Sequence, residues 1–247
     1  MEPEYIHINC DLGEGGSCDE QLMPLISACN IACGGHAGNT ESMRETVKLA
    51  MDHNVEIGAH PSYPDKENFG RRTIKMPADE LEKSLLGQIL ELKNIVEKAG
   101  GKLAHVKPHG ALYNDAAKDK NIAEVIINVM LKLDEIIPIY VPQNSVIFDL
   151  AKDKIPVITE AFGDRNYEEN YLLVSRQKEQ ALITKKEEVF THLFSMFREG
   201  KITTISGQKI PCDAGTFCLH SDTPNAVEIL EYLHQKFREK HIKILHT

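Results

Sequence analysis

Side chains that transfer protons or bind ions recur where the apolar segments of this 247-residue chain end. They include carboxylates, imidazoles and a lysine, and most lie within a few residues of glycine or proline. In chain order they are Asp11, Glu14, His36, Asn39, His60, Lys107, His109, Glu160, Asp164, Arg165, His220 and Asp222. Gathered in one pocket, such groups would perform acid–base catalysis directly or hold a divalent metal ion.

Asp11, His36 and His60 are the candidate ligands for a metal ion. Asp11 follows an apolar segment and precedes a glycine-rich loop, where an Asx-turn is the structural alternative. Helical H-x3-H spacing is absent, so the metal signal in the sequence is weak. Cys29 and Cys33 near His36 superficially suggest zinc, but both lie in an apolar run and are predicted to be buried thiols.

Four further positions carry a positive charge into the predicted site: Lys107, Arg71, Arg72 and Arg165. Lys107 ends an apolar strand, and because burying an unpaired ammonium is costly, it predicts a carboxylate or substrate partner. Arg71 and Arg72 lie in a loop, where they are either solvated or a guanidinium fork for a carboxylate or phosphate. Asp164 and Arg165 are either a surface ion pair or part of the site.

Seven apolar segments alternate with amphipathic helical patterns along the whole chain. The predicted strands are residues 5–12, 26–33, 55–59, 102–106, 136–141, 157–161 and 216–219. This alternation predicts a parallel sheet, in which sites form at the carboxyl ends of the strands. We expect an α/β protein with one closed β/α barrel over residues 1–247 rather than an open sheet, because candidate residues follow nearly every strand.

Local signals place several helix ends and one hairpin. Asn39 begins a helix, Thr184 and Glu187 form a predicted capping box, and Thr223–Pro224 is predicted to cap the last helix. The free N–H groups of that last helix offer an anion site. A β-hairpin is expected around Ser206–Gly207.

Charge and composition exclude several classes of function. The net charge is −9, from 37 acidic and 28 basic residues, and no basic stripe is present, which argues against a nucleic-acid partner. No run of about 18 apolar residues occurs, so no membrane partner is expected and the chain is predicted to be cytoplasmic. The six cysteines are then reduced thiols. P-loop and dinucleotide fingerprints are absent.

Six segments of the chain together resemble the LamB/YcsF family, in the family's order and over residues 6–235 or so. They are NCDLGE (9–14), NIACGGHAG (30–38), GAHPSYPD (58–65), NFGRR (68–72), KPHGALYN (107–114) and EAFGDRNY (160–167). One departure is Asn225, where the family has glycine after His-x-Asp-Thr-Pro.

The resemblance implies a seven-stranded parallel β/α barrel related to glycoside hydrolases and polysaccharide deacetylases, and the A subunit of a 5-oxoprolinase. It implies ATP-dependent opening of the lactam 5-oxoproline to L-glutamate with release of ADP and phosphate. ATP, with Mg²⁺, is needed because a lactam is a poor electrophile whose oxygen must be phosphorylated before water adds. The implied partners are subunits B and C of the same enzyme.

Under this hypothesis the candidates divide into two sets. The candidate catalytic residues are Asp11, Glu14, His36, His60, Lys107 and His109. The candidates for binding substrate or phosphate are Asn39, Arg71, Arg72, Glu160, Asp164, Arg165, His220 and Asp222. Asp11 or Glu14 would activate water, Lys107 and Arg72 would neutralise phosphate or carboxylate, and the histidines would transfer protons or hold a metal.

Two alternatives stay open at the level of sequence. The first is a deacetylase or amidohydrolase that acts on a small amide or sugar without ATP, using a divalent metal ion on Asp11, His36 and His60. The second is a non-catalytic subunit that presents 5-oxoproline or a sugar to its partners.

Overall fold

The computed structural model of the chain describes residues 4–246, in which strands and helices alternate. The strands are β1 (Glu4–Ile6), β2 (Ile8–Leu12), β3 (Ala28–Ala32), β4 (Glu56–His60), β5 (Leu103–Val106), β6 (Ile139–Pro142), β7 (Val157–Phe162), β8 (Lys201–Thr203), β9 (Lys209–Pro211), β10 (Thr216–Cys218) and β11 (Ile242–Ile244). The helices are α1 (Asp19–Leu22), α2 (Thr40–Asp52), α3 (Ala78–Lys98), α4 (Gly110–Ala116), α5 (Lys120–Leu131), α6 (Val146–Ala151), α7 (Lys186–Glu199) and α8 (Ala226–Glu239), with a 3₁₀ turn at Met23–Leu25.

Within the described residues, seven strands close into one barrel in the order β2-β3-β4-β5-β6-β7-β10, and β10 pairs back onto β2. Every neighbouring pair is parallel. The predicted fold is therefore confirmed, and the carboxyl ends of all seven strands open at one end of the barrel. Outside it, β1 pairs in parallel with β11, and β8 pairs with β9 in the predicted hairpin.

Helix boundaries follow local chemistry, with two corrections. Asn39 caps α2 as predicted, because its side chain accepts from the amides of Glu41 and Ser42. The Thr184 capping box is wrong, since Lys185 precedes α7 and makes no side-chain cap. Thr223 does not cap α8 either: Asn225 precedes that helix in the left-handed region, at φ +62°, which an asparagine tolerates better than most residues.

The inside of the barrel is polar, which the strand patterns alone did not predict. Asn30 on β3 donates to Asn9 Oδ1 (2.8 Å) and Asp11 Oδ1 (2.7 Å) on β2, and it meets His105 Nε2 at 2.6 Å. A Cβ at Gly58 would lie 2.0 Å from that same nitrogen, so glycine at this position leaves room for the His105 ring. This hydrogen-bond network fixes the position of Asp11 from inside the barrel.

The outer wall is apolar, as the helical patterns predicted. The apolar face of α3 carries Leu81, Leu85, Ile89, Leu92 and Val96, all buried. Cys29 and Cys33 are also buried, in agreement with their assignment as small apolar side chains. Within residues 4–246, no helix combines the length and the apolarity needed to cross a bilayer.

Candidate active site at the carboxyl end of the barrel

The carboxyl ends of the strands surround a pocket of about 380 Å³. Nine of the fourteen predicted site residues line it: Asp11, Glu14, His60, Arg71, Lys107, His109, Arg165, His220 and Asp222. A pocket of this size suits a small organic molecule. Parallel pairing brings these side chains together although they are distant from one another along the chain.

The floor of the pocket consists of Lys107 and Asp11, and Glu160 pairs with the lysine without lining the pocket. Lys107 Nζ lies 3.0 Å from Asp11 Oδ1 and 3.0 Å from Glu160 Oε1, and the lysine is 2% exposed. It also donates to Asn9 Oδ1 (3.2 Å) and contacts Cys218 Sγ (3.0 Å). Burial alone would lower the pKa of Lys107, but the carboxylates outweigh it and raise the pKa.

Asp11 is held ionised in the same environment. Burial favours its neutral form, yet the adjacent His60 ring and the Lys107 ammonium bring the pKa of Asp11 well below its usual range. Its second oxygen, Oδ2, lies 3.3 Å from His60 Nε2. The lasting negative charge of Asp11 can stabilise a positive charge that forms beside it during a reaction.

Four residues above the floor, Glu14, His36, His60 and His109, form the histidine cluster. His60 Nδ1 lies 2.7 Å from the carbonyl oxygen of Lys107, and His109 Nε2 lies 2.9 Å from that of Phe69. A carbonyl oxygen only accepts, so each of these nitrogens carries a hydrogen and donates it. The other two nitrogens, His60 Nε2 and His109 Nδ1, face each other at 2.9 Å.

His36 and Glu14 complete the histidine cluster. His36 Nε2 lies 2.8 Å from Glu14 Oε1, and the His36 ring stacks on that of His109, with centroids 3.6 Å apart and planes 2° from parallel. Burial lowers the pKa of His36 to about 2 and raises the pKa of Glu14, so the imidazole is neutral. His36 lies behind His109 and does not line the pocket.

Gly70 allows the loop before α3 to lie against these stacked rings. Its φ is +61°, and a Cβ there would be 2.9 Å from His36 Cβ and 2.8 Å from His109 Cδ2. Only glycine combines that backbone conformation with so close an approach.

His220 lines the pocket, and Asp164 lies behind it without lining the pocket. Asp164 is fully buried and accepts from the amide of His220 (2.8 Å), the His220 ring (2.9 Å) and the Thr223 hydroxyl (2.6 Å). Burial would raise the pKa of Asp164, but these partners lower it to about 2. The surface ion pair considered for Asp164 and Arg165 is therefore wrong, because both residues are buried and Asp164 is bound to His220.

The rim of the pocket contains Arg71, Arg165, Arg176 and Asp222. Asp222 Oδ2 accepts from Arg71 Nη2 at 2.5 Å and from Arg176 Nη1 at 3.2 Å. Arg165 is only 6% exposed and donates to the carbonyl oxygens of Val174 (2.7 Å) and Ala181 (3.2 Å). Among residues 4–246, no carboxylate forms an ion pair with Arg165.

The remaining candidates lie elsewhere. Glu160 lies below Lys107, and its Oε2 is buried without a hydrogen-bond partner within the described chain, beside a second pocket of about 150 Å³. Asn39 is a helix cap outside the pocket, and Arg72 is exposed and does not line it. The structure thus separates Arg72 from its neighbour Arg71.

Sequence reasoning missed Asn9, Asn30, His105 and Arg176. The first three had a signal, since each is a polar residue with apolar neighbours on both sides along a strand. Such a residue on a buried strand needs a partner inside the protein. Arg176 had no such signal in the sequence, because only the folding of the chain brings its loop to the rim of the pocket.

The fold and the site together define a seven-stranded β/α barrel protein with a buried acid–base pocket at the carboxyl ends of its strands. Residues 6–247 match the LamB/YcsF family, and the chain belongs to that family. The 5-oxoprolinase A subunit of Bacillus cereus (strain Q1) is 42% identical to it, with 97% of each chain covered. That of Bacillus anthracis is 41% identical over the same share.

A solved structure is similar as well. The crystal structure of a lactam utilization protein from Thermus thermophilus gives a TM-score of 0.91 at 32% identity, covering 98% of this chain and 100% of the other.

Proposed function

We propose that this chain is the A subunit of a 5-oxoprolinase, which opens 5-oxoproline to L-glutamate with ATP, in a complex with subunits B and C. The observation that carries the proposal is one pocket in which a buried, unpaired guanidinium lies at the rim and an ionised acid–base floor lies below. 5-Oxoproline has the matching groups, a carboxylate and the ring amide that the reaction opens. The names of the relatives favour a lactam over the sugar amide of the alternative hypothesis.

Arg165 is the residue we assign to the substrate carboxylate. Its guanidinium is buried and held in place by two carbonyl oxygens, which leaves its positive charge uncompensated by any described ion pair. A charge-assisted bond to a carboxylate would be strong in such a buried position. Arg71 and Arg176 already share Asp222 and close the rim on either side.

The floor and the histidine cluster are assigned to water addition. In the reaction, the lactam oxygen takes the terminal phosphoryl group of ATP, and water adds to the activated carbon. The ring C–N bond then breaks as nitrogen takes a proton, and a second water releases phosphate. Asp11 or Glu14 would accept the proton of the attacking water, and the histidines would return a proton to nitrogen or hold a metal ion.

Reconstitution tests the proposal. The purified chain is mixed with subunits B and C, 5-oxoproline, ATP and Mg²⁺, and glutamate and ADP are measured together. We expect both to form in equal amounts, and neither when ATP or any subunit is omitted. A complete complex that yields no glutamate contradicts the proposal, and glutamate formed without ATP would support the amidohydrolase alternative instead.

A further inference from the structure

The histidine cluster contains an arrangement that hydrogen bonding between neutral rings does not account for. His60 Nε2 and His109 Nδ1 lie 2.9 Å apart, and Glu14 Oε1 lies 3.4 Å from the second of these nitrogens and 3.9 Å from the first. We propose that Glu14, His60 and His109 bind a divalent transition-metal ion of the Zn²⁺ type. This proposal concerns occupancy of the pocket and does not depend on the proposed reaction.

The tautomers supply the first argument. His60 donates its Nδ1 hydrogen to the Lys107 carbonyl and His109 donates its Nε2 hydrogen to the Phe69 carbonyl. In neutral rings the two facing nitrogens therefore both present lone pairs, and Asp11 Oδ2, a further acceptor, lies 3.3 Å from His60 Nε2. A cation between these atoms turns an unfavourable contact of lone pairs into coordination.

The distances supply the second argument. Ligand atoms on a tetrahedral Zn²⁺ site, with bonds of about 2.0 to 2.1 Å, are separated from each other by roughly 3.4 Å. The three separations here, 2.9, 3.4 and 3.9 Å, lie on both sides of that value. Two imidazoles and one carboxylate are also a frequent ligand set for zinc in enzymes.

His36 is a positioning residue rather than a ligand in this arrangement. Its ring is parallel to that of His109 at 3.6 Å, so one ion cannot lie in the planes of both rings. Instead, neutral His36 donates from Nε2 to Glu14 Oε1. Metal ligands are commonly oriented by such outer partners, a role that the Lys107 and Phe69 carbonyls play for the two histidines.

The site is open towards the pocket. Glu14, His60 and His109 all line it, whereas His36 does not. Three protein ligands with a free fourth position are typical of catalytic rather than structural zinc sites. Bound there, a divalent ion polarises a carbonyl oxygen and lowers the pKa of a water molecule.

Metal binding to the full chain tests the proposal directly. The protein is stripped with a chelator, and Zn²⁺ affinity is measured by competition with a chelator of known affinity. Co²⁺ then serves as a spectroscopic probe, because a tetrahedral site gives it strong visible absorption. We expect one ion per chain, and no thiolate-to-cobalt charge-transfer band, since the proposed ligands are nitrogen and oxygen.

Three variants and one control locate the ion. Glu14→Gln, which keeps the size of the side chain, and His109→Ala should each weaken Zn²⁺ binding by more than about 100-fold. His36→Gln should weaken it by about 10- to 100-fold, as loss of an outer partner does. His53→Ala removes an exposed histidine at the end of α2 and should leave affinity unchanged. Circular dichroism checks that each variant is folded.

Several outcomes overturn the proposal. Failure of the wild-type chain to bind one equivalent of Zn²⁺ or Co²⁺ would contradict the proposal and leave a proton shared between His60 and His109 as the explanation of their contact. Unchanged affinity in folded Glu14→Gln, or a sulfur charge-transfer band, would place the ion elsewhere. Because none of these readouts involves turnover, they are distinguishable from a failure of the proposed reaction.

Discussion

Lys107 and Arg165 are two buried cations of the same pocket, and their surroundings differ in one decisive respect. Lys107 is 2% exposed and lies within 3.0 Å of two carboxylates. Arg165 is 6% exposed and is held by two neutral carbonyl oxygens. The charge of Lys107 is thus neutralised within the protein, whereas that of Arg165 is available to an anion from outside.

This difference separates stability from binding. A buried ion pair contributes little net free energy, but removing one partner leaves an unpaired charge and is costly. A buried guanidinium without an acidic partner is retained at an energetic cost, which an anionic ligand would offset. We therefore expect changes in the floor to act on folding and changes in the rim to act on ligand affinity.

The largest effect is expected from Lys107→Met. It leaves Asp11 and Glu160 facing each other without the ammonium, so the free energy of unfolding should fall by about 3 to 5 kcal/mol. Urea denaturation followed by circular dichroism measures this. Lys107→Met/Glu160→Gln should recover part of the loss because one carboxylate has been neutralised. A loss below about 1 kcal/mol would mean that Lys107 does not stabilise the floor.

Lowering the pH should also act through the buried interior. His36, His105 and His109 have pKa values that burial holds below the usual range, near 2 for His36. Between those values and the unfolded pKa of about 6.5, the unfolded chain binds more protons, so stability falls as pH falls. The raised pKa of Glu14 opposes this in part.

We expect the free energy of unfolding to drop by about 3 kcal/mol between pH 7 and pH 5.5 in the presence of a chelator. Urea midpoints at the two pH values measure the drop. His36→Gln should make it smaller by about 1 kcal/mol, whereas Arg71→Gln at the exposed rim should leave it unchanged. If His36→Gln shows the full drop in the free energy of unfolding, the assignment of a depressed pKa to His36 is contradicted.

Arg165→Met tests the expectation that changes in the rim act on ligand affinity. Loss of a charge-assisted bond to the substrate carboxylate should weaken 5-oxoproline binding by about 10- to 100-fold, measured by calorimetry. The matched control is Arg72→Met, which removes an exposed guanidinium outside the pocket and should change affinity less than about twofold. If Arg72→Met weakened the affinity for 5-oxoproline as much as Arg165→Met, the assignment of Arg165 to the substrate carboxylate would be wrong.

The smallest effect is expected at Asn39. Asn39→Ala removes two hydrogen bonds that cap α2 and should lower the free energy of unfolding by about 1 kcal/mol. Asn39→Asp keeps an acceptor at the cap and should be close to wild type. The affinity for 5-oxoproline should be unchanged in both variants. A loss of affinity in Asn39→Ala alone would mean that Asn39 takes part in substrate binding after all.

The sequence was a better guide to strand ends than to helix starts. Asp11, His60 and Lys107 were found because a polar residue after an apolar run is visible in the local pattern. Thr184 was misread, because the same pattern arises without the backbone turn that a capping box requires. A helix cap depends on the backbone geometry of two residues, and the residue types alone do not predict that geometry.

The amino-acid sequence by itself determined the order of the seven barrel strands and the end of the barrel at which polar groups gather. These follow from periodicity and from the rule that parallel strands carry their sites at their carboxyl ends. Only the tertiary structure decided which nitrogen of His60 is free, that His36 stacks behind His109, and that Arg71 rather than Arg72 reaches Asp222. Those contacts join residues up to 151 positions apart, and their geometry is set by barrel closure and loop paths rather than by local pattern.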